Sequence, residues 1–198
     1  MNYRQVVDSL RETGVLLLSD KTLPSVVGLV GGPGVKGSWW AHEKGRDIWR
    51  ILRRLDDDPD VMVTRLVSGK VTYLHRRLWP AFLTVATSGE PWQTKGLSPV
   101  ARRLIGAINK AGEIRMDRYA EGRSPKTVKA AAAEIERRLL AYTDEIHTEK
   151  GSHAKILMTW SRCPKLGGER FQIEDVAASK GALEDAVGDA DLPWRKII

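Results

Sequence analysis

The chain has a single cysteine, Cys163, among 198 residues. One thiol cannot close an internal disulfide and is not a structural zinc site, so a hydrophobic core has to hold the fold and a reducing compartment is expected. Long apolar runs are missing too. The longest, Gly14 to Leu18 and Val26 to Val30, fall far short of the roughly 20 residues that cross a bilayer. The N-terminus lacks the basic-then-apolar pattern of a secretory signal. These absences predict a cytoplasmic protein with no membrane partner.

Familiar catalytic signatures are lacking as well. Gly31-Gly32-Pro33-Gly34-Val35-Lys36-Gly37-Ser38 has the glycines of a phosphate loop but not the Gly-Lys-Ser/Thr that must follow four intervening residues. Asp56-Asp57-Asp58-Pro59-Asp60 begins like a calcium loop, yet Val61 stands where the turn needs Gly, and Val67 where the bidentate Glu belongs. There is no nucleophile elbow and no Cys–His pairing. No catalytic residue, cofactor or metal ligand is therefore assigned.

What the chain does have is positive charge, unevenly placed. The net formal charge is +7, made up of +1 over residues 1–37, +3 over 38–88, +6 over 89–165 and −3 over 166–198. An excess of this kind favours an anionic partner.

Residues 98–160 carry a recognisable order of elements. Ser98-Pro99 starts a helix through Leu104, Ile105 and Ile108 that ends at Gly112, and a short strand, Glu113 to Asp117, follows. Further helical segments are expected next. Ser124-Pro125 repeats the start signal ahead of Val128, Ala132, Ile135 and Leu139, whose 4, 3, 4 spacing marks one buried helix face. Two β-rich runs, Leu140 to Thr148 and His153 to Trp160, then flank Glu149-Lys150-Gly151-Ser152 as a hairpin.

Helix, strand, helices and hairpin is winged-helix order, and the first half repeats it. Arg4 to Glu12, Gly14, Val15 to Ser19, Leu23 to Val30, Lys44 to Leu55, and a hairpin around Ser68-Gly69-Lys70 follow one another in the same sense. The expectation is an α+β chain of tandem winged helices, each a helix-turn-helix plus a β-hairpin wing, over 1–88 and 97–165. Trp79 to Val85 would close the first unit, Thr87 to Gly96 would link the two, and 166–198 would form an acidic tail with a helix over Ile173 to Val187.

In such folds the helix before the wing meets nucleic acid. The segment Lys126 to Leu139 directs Lys126, Lys129, Ala130, Ala133 and Arg137 away from its apolar face. Small alanines permit close approach and the cations can reach phosphates, although alanine is also the best helix former and charges solvate any surface. Glu134 and Glu136 on the same helix count against phosphate contact.

At the wing, Lys150, Lys155, His147 and His153 are candidate DNA contacts, with one histidine expected to pack and the other to meet phosphate. If Lys150-Gly151 is the turn, His147 opposes Ala154 and His153 opposes Thr148, so the imidazoles lie on opposite faces and metal binding is disfavoured; a one-residue bulge would reverse this. In Gly37-Ser38-Trp39-Trp40-Ala41-His42-Glu43-Lys44-Gly45-Arg46, Trp40 is a candidate for stacking on bases, with Lys44 and Arg46 near the backbone. Burial as a staple at the start of the following helix is the alternative.

The helix Ala132 to Leu140 leading into His147-Thr148-Glu149-Lys150-Gly151-Ser152-His153-Ala154-Lys155 resembles bacterial tandem winged-helix proteins related to the crosslink-unhooking DNA glycosylases. The resemblance covers residues 98–165. It implies double-stranded DNA as the partner, in a regulatory or repair role. The glycosylases carry a Gln-x-Gln catalytic motif, whereas the three glutamines here, Gln5, Gln93 and Gln172, are isolated, so no catalytic residue carries across. Base excision would have to rest on Glu43, Asp47 or Glu149. A protein-interaction module is a third possibility, because fold does not fix function.

Overall fold

A computed structural model of the chain describes residues 1–32, 38–119, 124–147, 153–168 and 172–196. The protein is α+β and divides into two compact units, Met1–Val85 together with Gln172–Lys196, and Ala86–Phe171.

In the first unit α1 (Tyr3–Thr13) opens with a capping box. The Asn2 side chain accepts from the Gln5 N–H at 3.1 Å, and the Gln5 side chain accepts from the Asn2 N–H at 2.9 Å. Gly14 ends the helix at φ 81°, a conformation that suits glycine. β1 (Val15–Leu17) and α2 (Val26–Gly31) follow, with Ser25 capping α2, and then α3 (Gly45–Asp57). The hairpin β2 (Val61–Thr64) and β3 (Thr72–His75) and the apolar helix α4 (Trp79–Ala86) complete this stretch.

The sheet is antiparallel in the order β1-β3-β2, with Val15 and Met62 both opposite Leu74. Its core joins Val6 and Leu10 of α1, Val26, Val27 and Val30 of α2, and Ile48, Ile51, Leu52 and Leu55 of α3. The apolar spacing read from the sequence thus sets which face of α3 is buried, and by exclusion which face is left to solvent.

The second unit begins with a departure from expectation. Thr87 to Gly96 is not a plain linker, because Pro91–Thr94 forms a short helix, α5, with Trp92 and Gln93 buried. Gln93 donates to the carbonyl of Ala86 at 2.8 Å and accepts from the N–H of Glu90 at 3.1 Å, so a polar-looking segment is fixed by an internal hydrogen-bond network. α6 (Pro99–Ala111), β4 (Glu113–Arg115), α7 (Pro125–Arg137), β5 (Tyr142–His147) and β6 (His153–Met158) follow. The sheet order is β4-β6-β5, again antiparallel.

Between β4 and α7 the described residues 116–119 make a turn and hold no helix, so the further helical segment expected there is not found among the described residues. α6 and α7 pack through Leu104, Ile108, Ala131, Ala132 and Ile135 onto Leu157. α7 ends two residues earlier than its apolar spacing implies, since Leu139 takes φ 54° and the Trp160 indole donates to its carbonyl at 2.7 Å.

The acidic tail contributes α8 (Val176–Val187), capped by Asp175. It starts three residues later than Ile173, which is exposed. Leu183 and Leu192 are fully buried, and the Asp191 carbonyl accepts from the Ser68 N–H at 2.7 Å. These residues belong to the first unit.

The two units share a local lock. Gly14 and Gly112, at φ 81° and 84°, each end a first helix, and each carbonyl accepts a 2.9 Å bond from the end of the third strand: from His75, the last residue of β3, or from Thr159, just after β6. An arginine from just beyond, Arg77 or Arg162, covers each glycine so closely that a Cβ would lie 2.6 Å or 2.3 Å from its guanidinium. Arg77 also donates to the carbonyls of Arg11 and Glu12 at 3.1 and 3.0 Å, satisfying the end of α1. Gly14→Ala is expected to destabilise the first unit by about 2–3 kcal/mol, combining the left-handed strain with loss of these bonds. Urea unfolding followed by tryptophan fluorescence checks this, and an unchanged midpoint would refute it.

Candidate functional site

α7 places its charges as the sequence pattern requires. Lys126, Lys129, Ala130 and Arg137 are exposed and Ala133 is half-buried, and at 100° per residue all five fall on one side of the helix. No ion pair engages Lys126, Lys129 or Arg137 among the described residues.

The two glutamates that counted against phosphate contact turn inward. Glu134 accepts from the Ser98 N–H at 3.1 Å and lies 4.0 Å from Arg138. Glu136 is only 7 % exposed and is paired with Lys155 at 2.7 Å. Arg138 is itself committed, donating to the carbonyls of Trp92 and Lys95 at 2.7 and 2.8 Å. The outward stripe is therefore cationic and alanine-lined, free of carboxylates of its own.

The wing candidates fare differently. Lys155 is half-buried and neutralises Glu136, so it supports α7 from behind. His153 is exposed, with Nδ1 3.9 Å from Glu145 Oε2. The hairpin register corrects the expected one: the backbone of His147 pairs with His153, not with Ala154. The physical reason is an odd number of residues between the strands, which shifts the pairing by one. Among the described residues no group of three or more His, Cys, Asp or Glu could hold a metal ion. Lys150 and Glu149 lie outside the described residues, as does the side chain of His147.

The first hairpin is no free wing. Leu66 and Val67 in its turn are buried, Lys70 pairs with Asp20 at 2.6 Å, and Ser68 is bonded to Asp191. Apolar residues inside the turn draw it onto the body of the unit.

The first unit instead presents α3. Arg46, Trp49, Arg50 and Arg53 are exposed along one side, opposite Ile48, Ile51, Leu52 and Leu55. Trp49, Arg50 and Arg53 escaped the sequence reading, although their spacing from Arg46 (3, 4 and 7 residues) is the complement of the apolar spacing and was there to be seen. Asp47 is exposed 3.6 Å from Arg50. Arg54 is held apart from this stripe, its guanidinium 3.7 Å above the Tyr3 ring. Burial, and then a hydrogen bond donated to Asp58, push the Tyr3 hydroxyl up to about 12.

Ahead of α3, Trp39 and Trp40 stack at 4.1 Å in a short 3-10 turn, Trp39–Ala41. Trp39 packs on the core as a staple would, whereas Trp40 is 63 % exposed. Lys44 is exposed beside them and its N–H bonds to His42 Nδ1 at 3.2 Å.

Glu43 and Asp47 are exposed. Gln5 caps α1, Gln93 is buried in the network around α5, and Gln172 is exposed. Burial pushes the Cys163 thiol up to about 11, which keeps it protonated and unreactive near neutral pH.

No family model matches the chain, and no curated protein or solved structure matches it either. No helix among the described residues is long and apolar enough to cross a membrane.

Proposed function

We propose that this is a non-enzymatic double-stranded DNA-binding protein built from two winged-helix-like units, with a regulatory or repair-associated role. The carrying observation is the exposed face of α7, where Lys126, Lys129 and Arg137 stand over small alanines while both neighbouring glutamates are turned inward. Surface solvation alone does not require that segregation. Two further features support the reading: each unit runs helix, strand, helix, hairpin with the third strand central, the first unit having the additional helix α2 before α3, and α3 precedes its hairpin as α7 precedes the second. The helix before the hairpin is the element that such folds lay against DNA.

Affinity for a duplex of mixed sequence should fall steeply with salt, with a log–log slope of about −0.9 for each phosphate neutralised. Fluorescence anisotropy between 50 and 300 mM salt, roughly the range in which that slope is read, measures it. A flat response sinks the reading in favour of a protein-docking module. Excision of a base from alkylated or crosslinked duplex above the spontaneous rate, in single turnover, replaces it with a glycosylase.

A further inference from the structure

Trp40 and Trp49 are 63 % and 45 % exposed, the two most exposed tryptophans of the chain's described residues. They line one open groove together with Gly45, Arg46 and Arg50. Burial is the ordinary fate of an indole, and leaving two in water beside each other forgoes a large apolar contribution. The arrangement is also firmly held. One face of Trp40 rests on Trp39, which packs into the core, and the carbonyls of Trp39 and Trp40 lie so near Gly45 that a Cβ there would be 2.9 Å from each.

Arg46 and Arg50 bring positive charge to the groove's wall, with Arg53 one turn further along α3. Arg50 lies 3.6 Å from Asp47, whereas Arg46 has no ion pair among the described residues, and an apolar protein surface would have to desolvate its guanidinium without compensation. A nucleotide suits both halves of the groove, since its base is a flat ring with an apolar face and its phosphate is an anion. Within a paired duplex, however, the base faces are occupied by neighbouring bases and only the edges are open. Two indoles can stack only on bases that are unpaired.

We propose that the Trp40–Trp49 groove of the first unit binds unpaired nucleotides, so that the preferred nucleic acid is a duplex carrying a single-stranded stretch. This rests on the DNA-binding reading above and narrows it. Arg46 and Arg50 contact the backbone of the unpaired strand; Trp40 and Trp49 stack on its bases.

The test compares a blunt 20-base-pair duplex with the same duplex bearing a ten-nucleotide oligo-dT overhang, using full-length protein at fixed salt. The unmodified chain is expected to bind the overhang substrate at least ten-fold more tightly, in line with about 1–3 kcal/mol for each stacked base, and its tryptophan emission should be quenched. Trp40→Ala and Trp49→Ala should each bring the ratio of the two affinities close to one. Trp40→Phe and Trp49→Phe, which keep an aromatic face, should retain most of it, and a melting curve on each variant verifies folding. Equal binding of blunt and overhang substrates by the unmodified chain overturns the groove's role and leaves duplex binding standing. Failure to bind either substrate overturns both. Preservation of the ratio in folded alanine variants, or quenching by anionic phospholipid vesicles in place of the overhang, likewise overturns it.

Discussion

A chain carrying Lys126→Gln, Lys129→Gln and Arg137→Gln is expected to lose about two to three orders of magnitude in duplex affinity at 0.1 M salt. The figure follows from counterion release. Each phosphate contact contributes about 0.9 to the salt slope, hence roughly a factor of ten near 0.1 M, and three are removed together. The slope itself should become shallower by about 2.7, and the loss should be similar for unrelated sequences, because lysines meeting phosphates position a protein without reading bases. Stability should stay within about 0.5 kcal/mol, since all three side chains are exposed and none forms an ion pair among the described residues. Anisotropy titrations at two salt concentrations, with a melting curve alongside, give the result. Unaltered affinity in the folded triple variant would remove α7 from the interface.

The second large effect concerns the tail. Leu183 of α8 and Leu192 beyond it are fully buried in the first unit, so Leu183→Ala should cost about 2–5 kcal/mol. A unit of this size would then melt roughly 10 °C or more lower. The loss should be local. Amides of β3 and α3 should exchange faster with deuterium, while those of α6 and β6 keep their protection. Unchanged exchange in β3 would mean that the tail contributes nothing to the first unit's core.

Much of this architecture was legible in the sequence because two periodicities and a few stop signals carry it. Ser98-Pro99 and Ser124-Pro125 start α6 and α7 where they stand, and Gly14 and Gly112 end α1 and α6. The exposed stripe of α7 follows from its buried one. Register was less legible: whether His147 meets His153 or Ala154 depends on one residue in a turn, and alternating strands accept either pairing until packing decides. Long-range pairing was hidden altogether. Nothing local to Lys155 reveals that it neutralises Glu136, nor does Ser68-Gly69-Lys70 reveal that Leu66 and Val67 beside it will draw the turn inward. The candidate site shared this limit. Trp40 was visible as an aromatic near cations, but its neighbour Trp49 comes into the same groove only through the fold.

The first unit is discontinuous along the chain: its opening segment, Met1–Val85, is completed by Gln172–Lys196, with the whole of the second unit between. A ribosome therefore delivers the first unit's missing piece only after the second unit. While residues 86–171 are being made, the turn at Ser68 and Thr84 of α4 stand without the Asp191 carbonyl and the Glu174 N–H that later bond to them. The second unit, contiguous from α5 to β6, can close first although it is encoded second. Order of synthesis and order of folding are thus inverted, and the nascent chain holds its first unit incomplete for about a hundred residues of elongation, some five to twenty seconds at common translation rates. That interval is when this protein is most exposed to misassociation, and a stalled or shortened message would leave its first unit permanently in that state.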